Sequence, residues 1–128
     1  MGKRMIVLDS NVIIEILKGN DDVIRKVEEV KIENICLTYI TVMEVIYGAR
    51  DKREKKIIEE FLQTFEILYS NEIIDRQAVE YINNFSLSHN AKIPDVIIAA
   101  ICVYHDYDLI TYNLKDFVYI PDIRLIKI

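Results

Sequence analysis

Short runs rich in Ile, Val and Leu alternate along this chain with longer segments whose apolar residues recur at helical spacing. That alternation restricts the fold more than any other feature. The runs are RMIVLD, NICLTY, FEILY, DLITY and IRLIKI. The segments between them, NVIIEILKG, DDVIRKVEEVK, ITVMEVIYGAR, KREKKIIEEFLQTF, EIIDRQAVEYINNFSLSH and DVIIAAICVYH, carry the helical pattern. Strands separated by helices pair through crossovers, which build a parallel sheet with helices on both faces. The pattern therefore predicts an α/β fold, a three-layer α/β/α arrangement around a mostly parallel sheet of about five strands. Gly19-Asn20 ends the first helix, and Val23, Val27 and Val30 form one stripe of the second. Val42, Met43, Ile46 and Tyr47 are the expected apolar positions of the third helix. Pro94 opens a helix that is apolar nearly all round, as a central helix is. With three glycines, two prolines, no repeat and no linker, residues 1–128 are expected to form one domain.

In open sheets of this kind, ligands bind beyond the carboxyl ends of the strands, near the point where strand order reverses. Four acids fall at that edge. Asp9 closes the first strand, and Glu44 lies in the first turn or so of the helix after the second. Asp95 sits at the start of the helix opened by Pro94, and Asp116 follows the fourth strand. Each also has a purely structural explanation. Asp9, Ser10 or Asn11 can cap a helix, TVME fits a capping box with Thr41 as cap and Glu44 reaching back, Asp95 suits a first turn and Asp116 a loop turn. What these roles do not explain is convergence at one crevice, where carboxylates repel and raise one another's pKa. Bound Mg²⁺ or Mn²⁺ removes that conflict, and cation-bridged acids suit phosphodiester hydrolysis.

The formal net charge is −5 and the pI about 5.0, against a protein that binds nucleic acid by charge alone. A metal site escapes that objection, because the cations supply positive charge where phosphate sits. Cys36 and Cys102 lack metal-like spacing and are expected as buried, reduced thiols of a cytoplasmic protein. The opening MGKRMIVLDSN is basic and then apolar, but Asp9 and Asn11 interrupt it too early for a signal peptide. The apolar run at 93–103 is too short to span a bilayer, so no membrane role is expected.

LDSNVIIEIL, TVMEVIYGA, PDVIIAA and LITYNLKDF, in that order and spacing, resemble the motifs of PIN-domain ribonucleases, above all VapC toxins of type II toxin–antitoxin modules. The resemblance runs from about Val7 to Phe117. It implies a PIN-like fold and an Mg²⁺- or Mn²⁺-dependent endoribonuclease, with Asp9, Glu44 and Asp95 as metal-binding acids. Asn11 and Thr111 would orient ligands, water or phosphate. Two positions depart from the family pattern. Ser10 stands where many members have Thr, and Asn113 occupies the place where the fourth acid often stands, which leaves Asp116 as the candidate for that role. The resemblance further implies a homodimer, a cognate antitoxin that covers the acidic site, and transfer or ribosomal RNA as substrate.

Other features carry less. RDKREKK, residues 50–56, has five basic and two acidic side chains and is expected to be a solvated helix face with Asp51 and Lys55 paired, rather than an RNA contact. His89 and His105 are expected at the surface or at helix ends, and Tyr39 and Tyr47 in the core. A haloacid-dehalogenase-type phosphatase would want an acid at position 11, and a receiver domain an acid after the third strand. Neither is present. The remaining alternatives are a PIN module that binds RNA or protein with weak or lost activity, and a PIN nuclease of RNA maturation.

Overall fold

The computed structural model describes residues 4–30 and 32–128. Its elements, in order, are β1 (Ile6–Leu8), α1 (Ser10–Leu17), α2 (Asp21–Glu28), a 3-10 turn (Ile32–Asn34), β2 (Ile35–Thr38), α3 (Tyr39–Tyr47), α4 (Lys52–Leu62), β3 (Glu66–Leu68), α5 (Glu72–His89), α6 (Ile93–His105), β4 (Asp108–Ile110), a 3-10 turn (Leu114–Asp116) and β5 (Leu125–Ile126). The five strands form one sheet in the order β3-β2-β1-β4-β5, and every pairing is parallel. The chain adds β2 and β3 on one side of β1, then crosses over to place β4 and β5 on the other. Strand order thus reverses between β1 and β4, and the ligand crevice of such a sheet opens above their carboxyl ends.

Successive strand residues point to opposite faces, and the core divides accordingly. Val7, Cys36 and Leu109 pack under α5 and α6, whereas Leu8, Ile35, Leu37 and Ile110 pack under α1, α2 and α4. These are the three layers expected from the sequence. The central helix is α6, which buries Val96, Ile98, Ala99, Ala100, Ile101 and Cys102. Its two alanines let the backbone approach the sheet closely, and the larger residues fill the space beside them.

Helix ends follow local chemistry. Gly19 takes φ +79, a left-handed conformation that glycine adopts freely, and turns the chain out of α1. Asn20 then caps α2 by accepting a hydrogen bond from the Val23 amide, and Val23 and Val27 are buried as their stripe predicts. At the amino edge of the sheet, Arg124 Nε donates to Asp108 Oδ1 at 2.7 Å and its guanidinium also holds Asp106. This clamp fastens the short β5 to β4 on the side away from the acids. Cys36 and Cys102 are buried free thiols, and burial pushes Cys36 up to about 12 and raises Cys102 as well, so neither ionises readily.

Helix α3 departs from expectation in part. Val42 and Ile46 pack against the core as expected, but its fully buried positions are Ile40, Thr41 and Val45, and Met43 is 53% and Tyr47 93% exposed. The helix begins at Tyr39, earlier than its apolar pattern suggested, and this rotates the inward face onto Thr41. The Thr41 hydroxyl tolerates burial because Thr38 Oγ1 lies 3.4 Å away as its hydrogen-bond partner. A satisfied threonine at an inward position disguises the stripe.

Candidate active site

The site is built where β1 and β4 end side by side. Leu8 stands opposite Ile110, and the next residue, Asp9, donates its amide to the Ile110 carbonyl at 3.0 Å. That bond carries the pairing one residue past the strand and brings Asp9 against Thr111. Asp9 is only 5% exposed, and a buried carboxylate needs hydrogen-bond donors. Its Oδ1 accepts from the Ser10 amide at 2.8 Å, and its Oδ2 accepts from Thr111 Oγ1 at 2.8 Å and, more weakly, from Asn11 Nδ2 at 3.4 Å.

Thr111 is itself fixed. Its hydroxyl oxygen accepts from the Asn113 amide at 3.0 Å and from Asn11 Nδ2 at 3.3 Å. Asn11 Oδ1 accepts from the Tyr112 amide at 3.2 Å, which ties the start of α1 to the loop after β4. Asn11 and Thr111 therefore both position Asp9. Asn113 takes part through its backbone, and its exposed side chain makes no cap for the 3-10 turn that follows.

The other three acids reach the same region from separate elements. Glu44 comes from α3, Asp95 from the first turn of α6, and Asp116 from the end of the 3-10 turn after β4. Their fields overlap. Burial pushes Asp9 up, two hydrogen bonds pull it back, and the Asp116 charge raises it further. Glu44 is raised by desolvation and by Asp9, with a hydrogen bond from Ser10 opposing. Asp95 is pushed up to about 6 by desolvation and then by Asp116, Asp9 and Glu44, against a lowering influence from Lys92. Among the described residues, no three His, Cys, Asp or Glu side chains are drawn together tightly enough to chelate an ion as they stand. Four carboxylates facing one another without a counter-charge repel.

Of the three residues able to cap α1, Asp9 does so, and Ser10 and Asn11 lie inside the helix. Two expectations are corrected. The Thr41–Glu44 capping box does not form, because Thr38 caps α3 by accepting from the Thr41 amide at 3.3 Å. Glu44 is consequently the sixth helical residue, a turn deeper than expected, and has no capping task. Tyr47, expected in the core, stands almost fully in solvent at the end of α3.

The basic stretch at residues 50–56 is partly neutralised at and just before the start of α4. Arg50 pairs with Glu54 and Lys55 with Glu59, while Asp51 caps the helix through the Glu54 amide instead of pairing with Lys55. His89 and His105 end α5 and α6, as expected. Beside Glu44, an apolar groove of about 660 Å³ opens between α1, α3 and α4, lined in part by Ile14, Leu17, Val45 and Ile57. Sequence reasoning missed three neighbours of the acids: Ser10 beside Glu44, Lys92 beside Asp95, and Tyr119, whose phenol is raised by burial and by the Asp95 and Asp116 charges. Lys92, next but one before the Pro94-Asp95 pair, carried a signal that could have been used. Tyr119 carried none beyond standing three residues after Asp116.

A PIN domain family model matches residues 6–122. The tRNA(fMet)-specific endonuclease VapC of Salmonella typhimurium is 29% identical over 127 residues, covering 92% of this chain and 93% of that protein. Among solved structures, DNA-bound VapBC from Salmonella typhimurium superposes with a TM-score of 0.85 at 25% identity over 98% of both chains. A toxin–antitoxin complex from Klebsiella pneumoniae superposes with a TM-score of 0.78 at 28% identity over 94% of each. With the family match spanning β1 to β4, both helical layers and all four acids, the chain belongs to the PIN-domain family and is a homologue of VapC endonucleases.

Proposed function

We propose that this chain is a single PIN domain acting as the toxin of a VapBC-type pair, a cytoplasmic Mg²⁺- or Mn²⁺-dependent endoribonuclease that hydrolyses RNA phosphodiester bonds. The observation that carries this reading is the buried Asp9, held by Thr111 at the strand-order reversal, within the mutual repulsion of Glu44, Asp95 and Asp116. Three of these acids are raised by one another's charges, a cost that suits a site meant for a cation. The donors are all oxygen, which fits a hard cation, and Mg²⁺ usually keeps several waters and takes only one or two carboxylates, so no closed cage is needed.

Asp9, Glu44, Asp95 and Asp116 would hold the ion, which supplies a water of lowered pKa and neutralises charge building on the phosphate. The chain's own contribution is positional. Thr111 and the Ser10 amide keep the Asp9 carboxylate in one orientation, the Asn113 amide and Asn11 keep Thr111 in place, and Asn11 ties α1 to the loop carrying Asp116. Similarity to a tRNA(fMet)-specific endonuclease supports transfer RNA as the substrate class, with ribosomal RNA next. Similarity to toxin–antitoxin complexes supports a cognate antitoxin as partner, and the family resemblance a homodimer.

The test is cleavage of a mixed transfer- and ribosomal-RNA pool by the purified chain with Mn²⁺, with EDTA, and with Asp9→Asn beside wild type. Discrete fragments that need both the metal and Asp9 are expected. Fragments that persist in EDTA would remove the metal from the reaction, and fragments in the Asp9→Asn lane would remove Asp9. No fragments in any lane would favour a binding module.

A further inference from the structure

An acidic protein that receives RNA at an acidic site gains little from surface charge, so grip on the substrate has to come from elsewhere. Aromatic side chains are the alternative, because single-stranded bases stack on Tyr, Phe or His rings largely independently of sequence. One set of rings lies beside the acids. Tyr119 follows Asp116 by three residues, in the loop held by the Val118 and Ile120 amides donating to Leu114 and Phe117. Its ring stacks on His89, with centroids 4.7 Å apart and planes 21° from parallel. Phe85 supports both, lying 5.1 Å from Tyr119 and edge-on to His89 at 5.6 Å.

His89 is the outermost member. It is the last residue of α5, it is exposed, and the left-handed Asn90 turns the chain away immediately after it. Ser88 Oγ lies within hydrogen-bond distance, 2.7 Å, of His89 Nδ1. An exposed ring stacked on Tyr119, edge-on to Phe85 and bonded to Ser88 has less rotamer freedom to lose than a free side chain. Stacking on it then costs little ordering entropy. Both rings lie next to acid-bearing segments: Tyr119 follows Asp116 by three residues, and His89 ends α5 just before the short link to α6, whose first turn carries Asp95.

We propose that His89, stacked on Tyr119, is a platform for a nucleobase adjacent to the scissile phosphate of a single-stranded RNA segment. This inference rests on the ribonuclease reading above. His89 would be a binding residue and takes no part in proton transfer, so its loss acts on KM.

The experiment compares wild type, His89→Ala and His89→Phe in two assays. The first measures kcat and KM for cleavage of a single-stranded RNA. The second follows quenching of 2-aminopurine placed at successive positions of a mixed-sequence oligoribonucleotide, in EDTA so that no cleavage occurs. Stacking of one base predicts a rise in KM of about 5- to 100-fold for His89→Ala, with kcat within two-fold of wild type. Quenching at one position should be lost, and His89→Phe should restore both. Wild-type KM and quenching in His89→Ala would overturn the platform while leaving the nuclease intact. Quenching that depends on His89 without cleavage by any form would keep the platform and overturn the nuclease. Neither cleavage nor quenching by wild type would overturn both. A change of oligomeric state in His89→Ala, with quenching unchanged, would assign the ring to a contact between copies of the chain and overturn the platform.

Discussion

At the scale of single residues, Asp95 carries the clearest energetic consequence. In the metal-free domain its carboxyl is pushed up to about 6 from 3.8. The folded chain therefore binds more protons than the unfolded chain between about pH 4 and 6. By linkage its contribution to stability is fully present below about pH 4 and is lost as pH rises through 6. That rise in pKa corresponds to about 3 kcal/mol at most, and solvent screening of a half-buried carboxylate reduces it to about 1 kcal/mol. Asp95→Asn mimics the protonated form. It should exceed wild type in stability by about 1 kcal/mol at pH 7.5 in EDTA and match it at pH 4, as read by urea unfolding. A variant that is less stable than wild type at pH 7.5 would show that Asp95 is there to hold the fold. Asp9, Asp95 and Asp116 could be placed because each stands beside a strand end or in a helix's first turn, whereas Glu44 lies a turn deeper in α3 than its offset suggested. Tyr119 could not, because its place beside Asp95 depends on how the loop after Asp116 returns to α5, which no local pattern encodes.

At the scale of elements, capping decides where α3 points Glu44. The strands were legible as short runs rich in Ile, Val and Leu, and the helices as longer segments with apolar residues at helical spacing. The start of α3 was not. Thr38 and Thr41 are both plausible caps three residues apart, and both are fully buried. The backbone decides between them: Thr38 is extended, with φ -86 and ψ 157, and its Oγ1 accepts from the Thr41 amide, whereas Thr41 is already helical. Thr38→Ala removes that acceptor and should cost about 1–2 kcal/mol in urea unfolding. Thr38→Ser keeps the acceptor and loses one methyl group, about 1 kcal/mol. If Thr38→Ala proved no worse than Thr38→Ser, the hydroxyl would have no capping value. The central helix makes a simpler case. Ile101 is fully buried between α5 and the sheet layer, and Ile101→Ala should cost about 2–5 kcal/mol, the range for truncating a packed aliphatic residue.

At the scale of the whole molecule, strand order 3-2-1-4-5 collects acids from residues 9, 44, 95 and 116 at one edge, and the fold holds them there against their repulsion. A cation bound at that edge must stabilise the folded state, because the unfolded chain disperses the four acids. At 100 times the dissociation constant, the gain is about 2.7 kcal/mol. Protons compete for the same oxygens, so the sign of the pH effect is set. Above pH 6, Asp95 is ionised and the Mn²⁺-induced rise in Tm should be complete. Toward pH 5, the proton on Asp95 must leave before the ion binds, and the rise should shrink. Wild type and Asp9→Asn scanned with Mn²⁺ and with EDTA at pH 7.5 and 5.0 separate this from non-specific salt effects. A site built from Asp9 predicts a large Mn²⁺ shift only for wild type at pH 7.5. Equal shifts in both proteins at both pH values would place the ion elsewhere on the surface, and the gathering of acids would then need another explanation.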